Sequence, residues 1–384
     1  MKKNIKNINF FLLFFMIAYS IFGLIMILSA SSITAVLRYR KPSNYFFLKQ
    51  IVGLGLGYFA SIFIISIPTK NYRFFSRALM YGFLTALIFV LVYGVMGGGA
   101  KGWYRFGRLN FQPLEFMKIS LIIYMAVYYN RLASDRKATF IQIIWPVVLA
   151  AVTAVLIAMQ PDFGGAFIIA FITILIFFSI PLGKKQKKLI FKYSGYAVIV
   201  LAIALLLFGK SLLHSYQSSR LNFRDPCTRY NEESGYQVCN GYIAIHNGGL
   251  WGVGLGNSTQ KYLYLPEAHT DFIFAIIVEE LGLLFGIFIV LGYFGILFLI
   301  LMIAKDADNL RNSVLCYGVF AYLFAHIAIN MLGILGLIPL TGVPLPFLSY
   351  GGSYSINVIV ALAIVQRVNI ENEEAKARKK IEKL

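Results

Sequence analysis

Ten stretches of about twenty mostly apolar residues, separated by short links and one long loop, constrain this 384-residue chain more than any other feature. A helix rises about 1.5 Å per residue, so about 20 apolar residues cross about 30 Å of hydrocarbon. On that ruler spans are expected near 9–31, 48–68, 78–97, 113–129, 141–160, 164–182, 190–209, 271–304, 312–336 and 353–368. The sixth follows the fifth after only Gln160-Pro161-Asp162-Phe163-Gly164-Gly165, and the eighth is long enough to tilt or to project beyond the bilayer. The hydrophobic share is 59% and the charged share 13%, against about 45–50% and about 25% in ordinary soluble domains. A single soluble core stops growing near about 250–300 residues, so this excess has no use in water. The expected fold class is an all-α polytopic membrane protein, one integral membrane domain over 1–384 with about ten transmembrane helices. A soluble enzyme, a secreted disulfide scaffold and a disordered chain are excluded as the main reading.

The formal net charge is +19, from 35 Lys+Arg against 16 Asp+Glu. Cytoplasmic loops of membrane proteins collect Lys and Arg, so the excess reads as topology, and no nucleic-acid partner is expected. With the chain starting inside, the inner segments hold Lys2, Lys3 and Lys6, then Lys70, Arg73 and Arg77, then Arg131, Arg136 and Lys137. They continue with the block from Lys184 to Lys192, Lys305 and Arg311, and the tail from Arg367. These segments carry most of the cations, which places both termini in the cytoplasm and makes 367–384 a cytoplasmic tail, expected as a short frayed helix. Met1 to Lys6 resembles the basic end of a signal peptide. The apolar run from Asn9 to Ala30 exceeds the about 7–15 residues of a signal core, so it reads as a retained first span. The outer loops still hold many cations, among them Arg38, Lys101, Arg105, Arg220 and Arg224. Anionic headgroups and an anionic substrate both account for them.

One outer loop, 210–270 between spans seven and eight, is far longer than the rest, and long irregular segments are usually functional or disordered. It contains Cys227 and Cys239, on the oxidising face, as a disulfide or as two thiols. Its glycines, Gly248, Gly249, Gly252, Gly254 and Gly256, lack the flanking strand and helix that a dinucleotide fingerprint requires. Ionisable residues inside spans cost about 2.5–3.5 kcal/mol each, which makes each a functional candidate. Glu115 and Lys118, three apart after Pro113, share a helix face and either stabilise a buried turn or shape a cavity. Asp271 sits at the outer mouth of span eight, where a helix N-terminus favours the ionised carboxylate that a general base needs. A plain helix cap is the alternative. Glu279 falls near the same helical face as Asp271 and Glu280 roughly opposite, at depths that suit internal hydrogen bonding. His246 and His269 lie outside without an HxxxH or HExxH spacing, so no zinc site is expected, and His326 reads as a packing histidine. The tract from Ile338 to Ser353 is rich in proline and glycine, and irregular backbone at that depth persists only where it lines a cavity or is buried in protein. It reads as a re-entrant wall beside the long loop.

Taken together, these tracts resemble the SEDS family (shape, elongation, division and sporulation proteins) typified by FtsW and RodA. The matching pieces are Phe111 to Lys118, Gln160 to Gly164, Gly248 to Gly256, Leu265 to Gly282 with His269-Thr270-Asp271-Phe272 and Glu279-Glu280-Leu281-Gly282, and Leu345 to Ser353. The resemblance covers nearly the whole chain, and its strength lies in the joint order of the motifs. Leu114 departs from the family's usual serine and Lys101 from a common arginine. The resemblance implies a peptidoglycan glycosyltransferase that polymerises lipid II at the outer face of the cytoplasmic membrane beside a class B penicillin-binding protein. It also implies Asp271 as the essential aspartate and Glu115 and Lys118 as the buried pair; His269, Thr270, Glu279 and Ser349 are expected as supporting groups around them. The tract Leu265 to Asp271 looks closer to the division-type, FtsW-like member.

The chemistry fits this inventory. Glycosidases usually need a second carboxylic acid to protonate a poor leaving group, whereas a lipid diphosphate needs only cations. One base at Asp271 suffices, with Lys101, Arg105, Arg220 and Arg224 as candidates for the diphosphate. A divalent cation would help, although no ligand cluster calls for one. Two other readings stay open: a flippase of the lipid-linked precursor, and a non-catalytic scaffold of the division complex.

Overall fold

Apolar side chains cover the outside of this bundle as well as its inside. Phe11 and Phe14 on the first helix and Leu291, Phe294 and Phe298 on the ninth are exposed, although a water-soluble fold would bury residues of this kind. The structure is a computed structural model that describes residues 7–97, 100–107, 109–133, 139–181 and 223–382. Its helices are α1 (Phe10–Leu37), α2 (Tyr45–Ser66), α3 (Ser76–Tyr93), α4 (Pro113–Ala133), α5 (Phe140–Ala158) and α6 (Phe163–Ser179). They continue with α7 (Glu233–Gly248), α8 (Ile273–Leu281), α9 (Leu283–Lys305), α10 (Leu310–Ile334) and α11 (Gly352–Ile381).

Among the described residues seven helices, α1, α2, α3, α5, α9, α10 and α11, are long and apolar enough to cross a membrane. The apolar α6 is shorter. The more polar α4 runs through the interior with most of its side chains buried, which is how it tolerates Glu115 and Lys118. Each of these helices corresponds to one expected span, the third, eighth and tenth with the changes given below, while the span at 190–209 lies outside the described residues, as does Arg220. Asn9 N–H donates to Gln366 Oε1 (3.0 Å), Gln366 Nε2 returns to Asn9 O (2.9 Å), and Asn369 Nδ2 donates to Asn7 O (2.8 Å). The start of α1 and the far part of α11 therefore share one end of the bundle. At the other end Arg38 lies 3.8 Å from Glu267, and Gln50 near the start of α2 donates to Ser355 Oγ (2.8 Å). That second end carries the loops that matter below.

Three expectations are corrected. The eighth span, expected as one helix over 271–304, is broken at Gly282 into the nine-residue α8 and the membrane-length α9. The cause is the glycine cluster of the long loop, which laces its backbone into the break. Val253 N–H donates to Glu279 O (2.9 Å), Gly254 N–H to Glu280 O (2.9 Å), and Leu283 N–H to Gly249 O (2.9 Å). Gly282 has φ 87° and Gly252 φ 80°, and a Cβ would come 2.3 Å from Leu250 O at the first and 2.4 Å from Glu280 O at the second. Only glycine fits both the backbone conformation and the approach. Secondly, the tail is not frayed: α11 continues to Ile381. Asn372 Nδ2 donates to Ile303 O (3.0 Å), while Lys376 and Lys379 pair with Asp306 and Asp308. Thirdly, the third span, expected over 78–97, ends at Tyr93, and the link from there to α4 folds as an antiparallel meander of β1 (Val95–Gly97), β2 (Ala100–Phe106) and β3 (Leu109–Phe111).

Gly282→Ala is expected to cost about 1–3 kcal/mol through the strained backbone alone, more with the clash, and to lower the thermal unfolding midpoint of the purified protein. Gly55→Ala on α2, where nothing lies within 4 Å of an added Cβ, is the control expected to unfold as the parent does.

Candidate active site

Leu265 to Phe272 form a run of turns ahead of α8 rather than its first turn. Phe272 is the N-cap and makes no side-chain cap bond, so Asp271 stands one residue outside the helix. Its side chain is half-buried. What holds it is the carbonyl row of its own segment. Tyr350 N–H donates to His269 O (2.9 Å), Ser349 Oγ donates to Thr270 O (2.7 Å), and Asn330 Nδ2 donates to Asp271 O (2.8 Å). Ser349 Oγ also accepts from Leu345 N–H (2.8 Å), so its one proton is committed to Thr270 O. The donors come from the proline- and glycine-rich tract and from α10. Across from the carboxylate stands Gly342, φ 72°, where a Cβ would come 3.2 Å from Asp271 Oδ2. The tract thus is the wall beside Asp271, and it admits the carboxylate because residue 342 has no side chain.

The buried pair lies behind that wall. Lys118 Nζ is 2.7 Å from Glu115 Oε1 and 3.1 Å from His326 Nε2, with both charged side chains almost fully buried. His326 Nδ1 lies 3.1 Å from Pro344 O. A carbonyl accepts only, so Nδ1 carries the proton and Nε2 accepts from the Lys118 ammonium. His326 is therefore satisfied, as expected, and also connects α4 to the wall. Asn330, one turn further along α10, escaped the sequence reading. The available signal was an amide in an otherwise apolar span at the i+4 position from a histidine.

The two deeper carboxylates order the long loop. Glu279 accepts from Ser258 Oγ, from Thr259 N–H (3.2 Å) and Oγ1 (3.0 Å), and from Asn247 Nδ2 (3.3 Å). It faces the 247–260 loop and not Asp271. Glu280 pairs with Lys261 at 2.8 Å and accepts from Ser29 Oγ of α1. Lys261 lies in the long outer loop, but its ammonium is buried and bound to Glu280, Ser29 and Gly256 O rather than open to an anionic substrate.

The other candidates fall at varied distances from this centre. His269 packs on Phe46 and Tyr350, with ring centroids 4.5 and 5.7 Å away, and its Nδ1 has no partner among the described residues. Burial pushes its imidazole down to about 4, with Arg38 adding to the shift and Glu267 opposing it. Thr270 Oγ1 donates back to Glu267. The Lys101 ammonium donates to Leu91 O (2.8 Å) and Val92 O (3.1 Å), where it serves the C-terminus of α3. Arg105 on β2 and Arg224 are exposed. Cys227 and Cys239 form a disulfide that ties the segment before α7 to that helix. Among the described residues no three His, Cys, Asp or Glu side chains gather as metal ligands. A divalent ion at Asp271 would have to draw its remaining ligands from substrate phosphates and water.

A membrane-crossing helical bundle that presents one clamped, half-buried carboxylate beside a proline- and glycine-rich wall is a polytopic membrane protein with a built polar site. The chain belongs to the FtsW/RodA/SpoVE family: the family profile described as "Cell cycle protein" matches residues 9–374. It is 36% identical over 390 residues to the probable peptidoglycan glycosyltransferase FtsW of Bacillus subtilis, covering 100% of this chain and 96% of that one. It is 35% identical to the protein of the same name from Hydrogenovibrio crunogenus, covering 92% and 89%. Among solved structures, a chain from a peptidoglycan synthase complex that coordinates polymerization and crosslinking superposes with a TM-score of 0.73 at 23% identity, over 95% of this chain and 98% of that one. RodA of Thermus thermophilus, a rod shape determining protein, gives 0.67 at 24% identity over 94% and 96%. These structural likenesses bear on the fold.

Two outcomes are expected. His269 is neutral when folded and titrates near 6.5 when unfolded, so its stabilising contribution is complete above about pH 6.5 and declines as pH falls toward about 4. Thermal unfolding of the purified protein across that window is expected to show the decline, and His269→Phe to flatten it. Lys118→Met leaves Glu115 buried without its cation and is expected to cost about 3–5 kcal/mol, read as a lost or strongly lowered unfolding transition.

Proposed function

We propose that this chain is a peptidoglycan glycosyltransferase that joins lipid II disaccharides into glycan strands at the outer face of the cytoplasmic membrane. Both termini are then cytoplasmic, and the Asp271 end of the bundle faces outward. The observation that carries the reading is the Asp271 segment, whose three consecutive carbonyls are each held by a donor from the wall or α10. A general base gains from such fixation, because a misplaced carboxylate loses the alignment that proton transfer requires.

In the reaction the acceptor sugar hydroxyl gives its proton to the Asp271 carboxylate while its oxygen bonds to the anomeric carbon of the donor. The bond from that carbon to the diphosphate oxygen breaks, and the electron pair leaves with undecaprenyl diphosphate. The leaving group is already a stable anion, so cations suffice where a glycosidase would need an acid. Arg105, Arg220 and Arg224 are the candidates for that task. Lys101 would have to leave the α3 carbonyls to join them.

The FtsW-like relatives favour a role in septal wall synthesis during division. The likeness to a chain of a peptidoglycan synthase complex favours a class B penicillin-binding protein as partner. Purified protein with its partner and lipid II is expected to make glycan strands, and Asp271→Asn to lower the rate by about 10²–10⁴-fold. Full polymerisation by Asp271→Asn would defeat the role given to that carboxylate. An active flippase that makes no strands, or a strand-free protein that still supports division, would favour the transporter or the scaffold.

A further inference from the structure

We infer that Asn330 is a positioning residue for Asp271, and that His326, one turn earlier on α10, holds the wall against which Asn330 works. The inference rests on the reading of Asp271 as the base and extends it by naming the groups that aim it. The Asn330 amide nitrogen donates to Asp271 O at 2.8 Å and to Val343 O at 2.9 Å. Both acceptors are carbonyl oxygens, so the nitrogen must face them and both of its protons are committed. One proton goes to the segment that carries the carboxylate, the other to the wall that the carboxylate abuts. The separation of the two is set by a single planar NH₂ group.

The neighbouring wall residues complete the arrangement. Gly342 lies against the carboxylate itself, Val343 shares Asn330 with Asp271, and Pro344 accepts from His326. His326 and Asn330 are four apart and so lie on one face of α10, from which they grip two consecutive carbonyls. Lys118, by donating to His326 Nε2, leaves Nδ1 as the protonated nitrogen that reaches Pro344 O. The ion pair on α4 is thereby joined to Asp271 through Lys118, His326, the Val343–Pro344 peptide and Asn330. Asn330 and His326 are both buried, and a variant that lacks either donor leaves its acceptor carbonyls without these bonds. Without the Asn330 donor, Asp271 O and Val343 O face each other with nothing between them, and the carboxylate shifts relative to the wall.

Steady-state polymerisation of lipid II by the full chain with its partner tests this. Asn330→Leu, similar in volume and lacking the donor, is expected to lower kcat by about 10²-fold, the scale of a misplacement near 1 Å. KM for lipid II is expected to stay within about twofold and the unfolding midpoint within about 4–8 °C, the scale of two lost hydrogen bonds in a chain of this length. Asn330→Thr, with a single donor for two acceptors, is expected to fall between and carries the test should the leucine variant fail to fold. His326→Asn, which keeps a donor toward Pro344 O, is expected to retain most of the rate that His326→Leu loses. In an Asp271→Asn background, Asn330→Leu is expected to cause no further fall in the residual rate. Unchanged kcat in both Asn330 variants, a loss confined to KM, or an equal fall in the Asp271→Asn background would overturn the inference. If Asp271→Asn itself turns over at the parent rate, the reading of the base fails instead, and that result comes from a different variant.

Discussion

The hydrogen bonds to His269 O, Thr270 O and Asp271 O are the contacts on which the rest of the site depends. The Asp271 segment belongs to no helix or strand, and its own backbone supplies only turn bonds, from Thr270 N–H and Phe272 N–H to Glu267 O. Its orientation is borrowed from Ser349 and Tyr350 of the wall and from Asn330 of α10. Each of those carbonyls finds its donor within the protein, which is how a short irregular segment is tied to the wall and to α10.

Behind the segment, buried charges are handled in two ways that serve one end. Glu115 and Lys118 hold His326 in the form that donates to the wall, while Glu279 and Glu280 with Lys261 hold the long loop against α8 and α1. The loop and the wall are thereby both anchored to the bundle, from opposite sides of Asp271 in the chain. The glycine cluster completes the first anchor. Its backbone pairs with Glu279, Glu280 and Leu283, breaks the long apolar run at Gly282, and turns what is left of it into α8 and α9.

Much of the bundle was legible in the chain because apolar length is a one-dimensional quantity. The starts and ends of α2, α3, α5 and α10 fall within a few residues of the expected spans. The break at Gly282 was not legible from the run itself, since Ile273 to Lys305 is apolar on both sides of it and the cause lies about thirty residues earlier. The continuation of α11 to Ile381 was hidden for the opposite reason. Its charges look solvated until Asp306 and Asp308 on the α9–α10 link are seen to meet them. At the site, Glu115 and Lys118 announced themselves by spacing, and Ser349 and Asp271 by their motifs. Asn330 did not, because an amide in a span carries no charge to mark it.

By itself the sequence determined that this chain lies in a membrane, where most of its described apolar helices fall, and which few ionisable groups it carries into that apolar setting, because hydrocarbon thickness and the cost of buried charge act on each residue locally. Only the tertiary structure decided that Gly282 interrupts a span, that Lys101 and Lys261 are engaged within the protein, and that Asn330 stands between Asp271 and Val343. Those facts are pairings between distant backbone and side-chain groups. A buried donor and its acceptor are chosen by proximity in the folded bundle, and no local pattern along the chain records that choice.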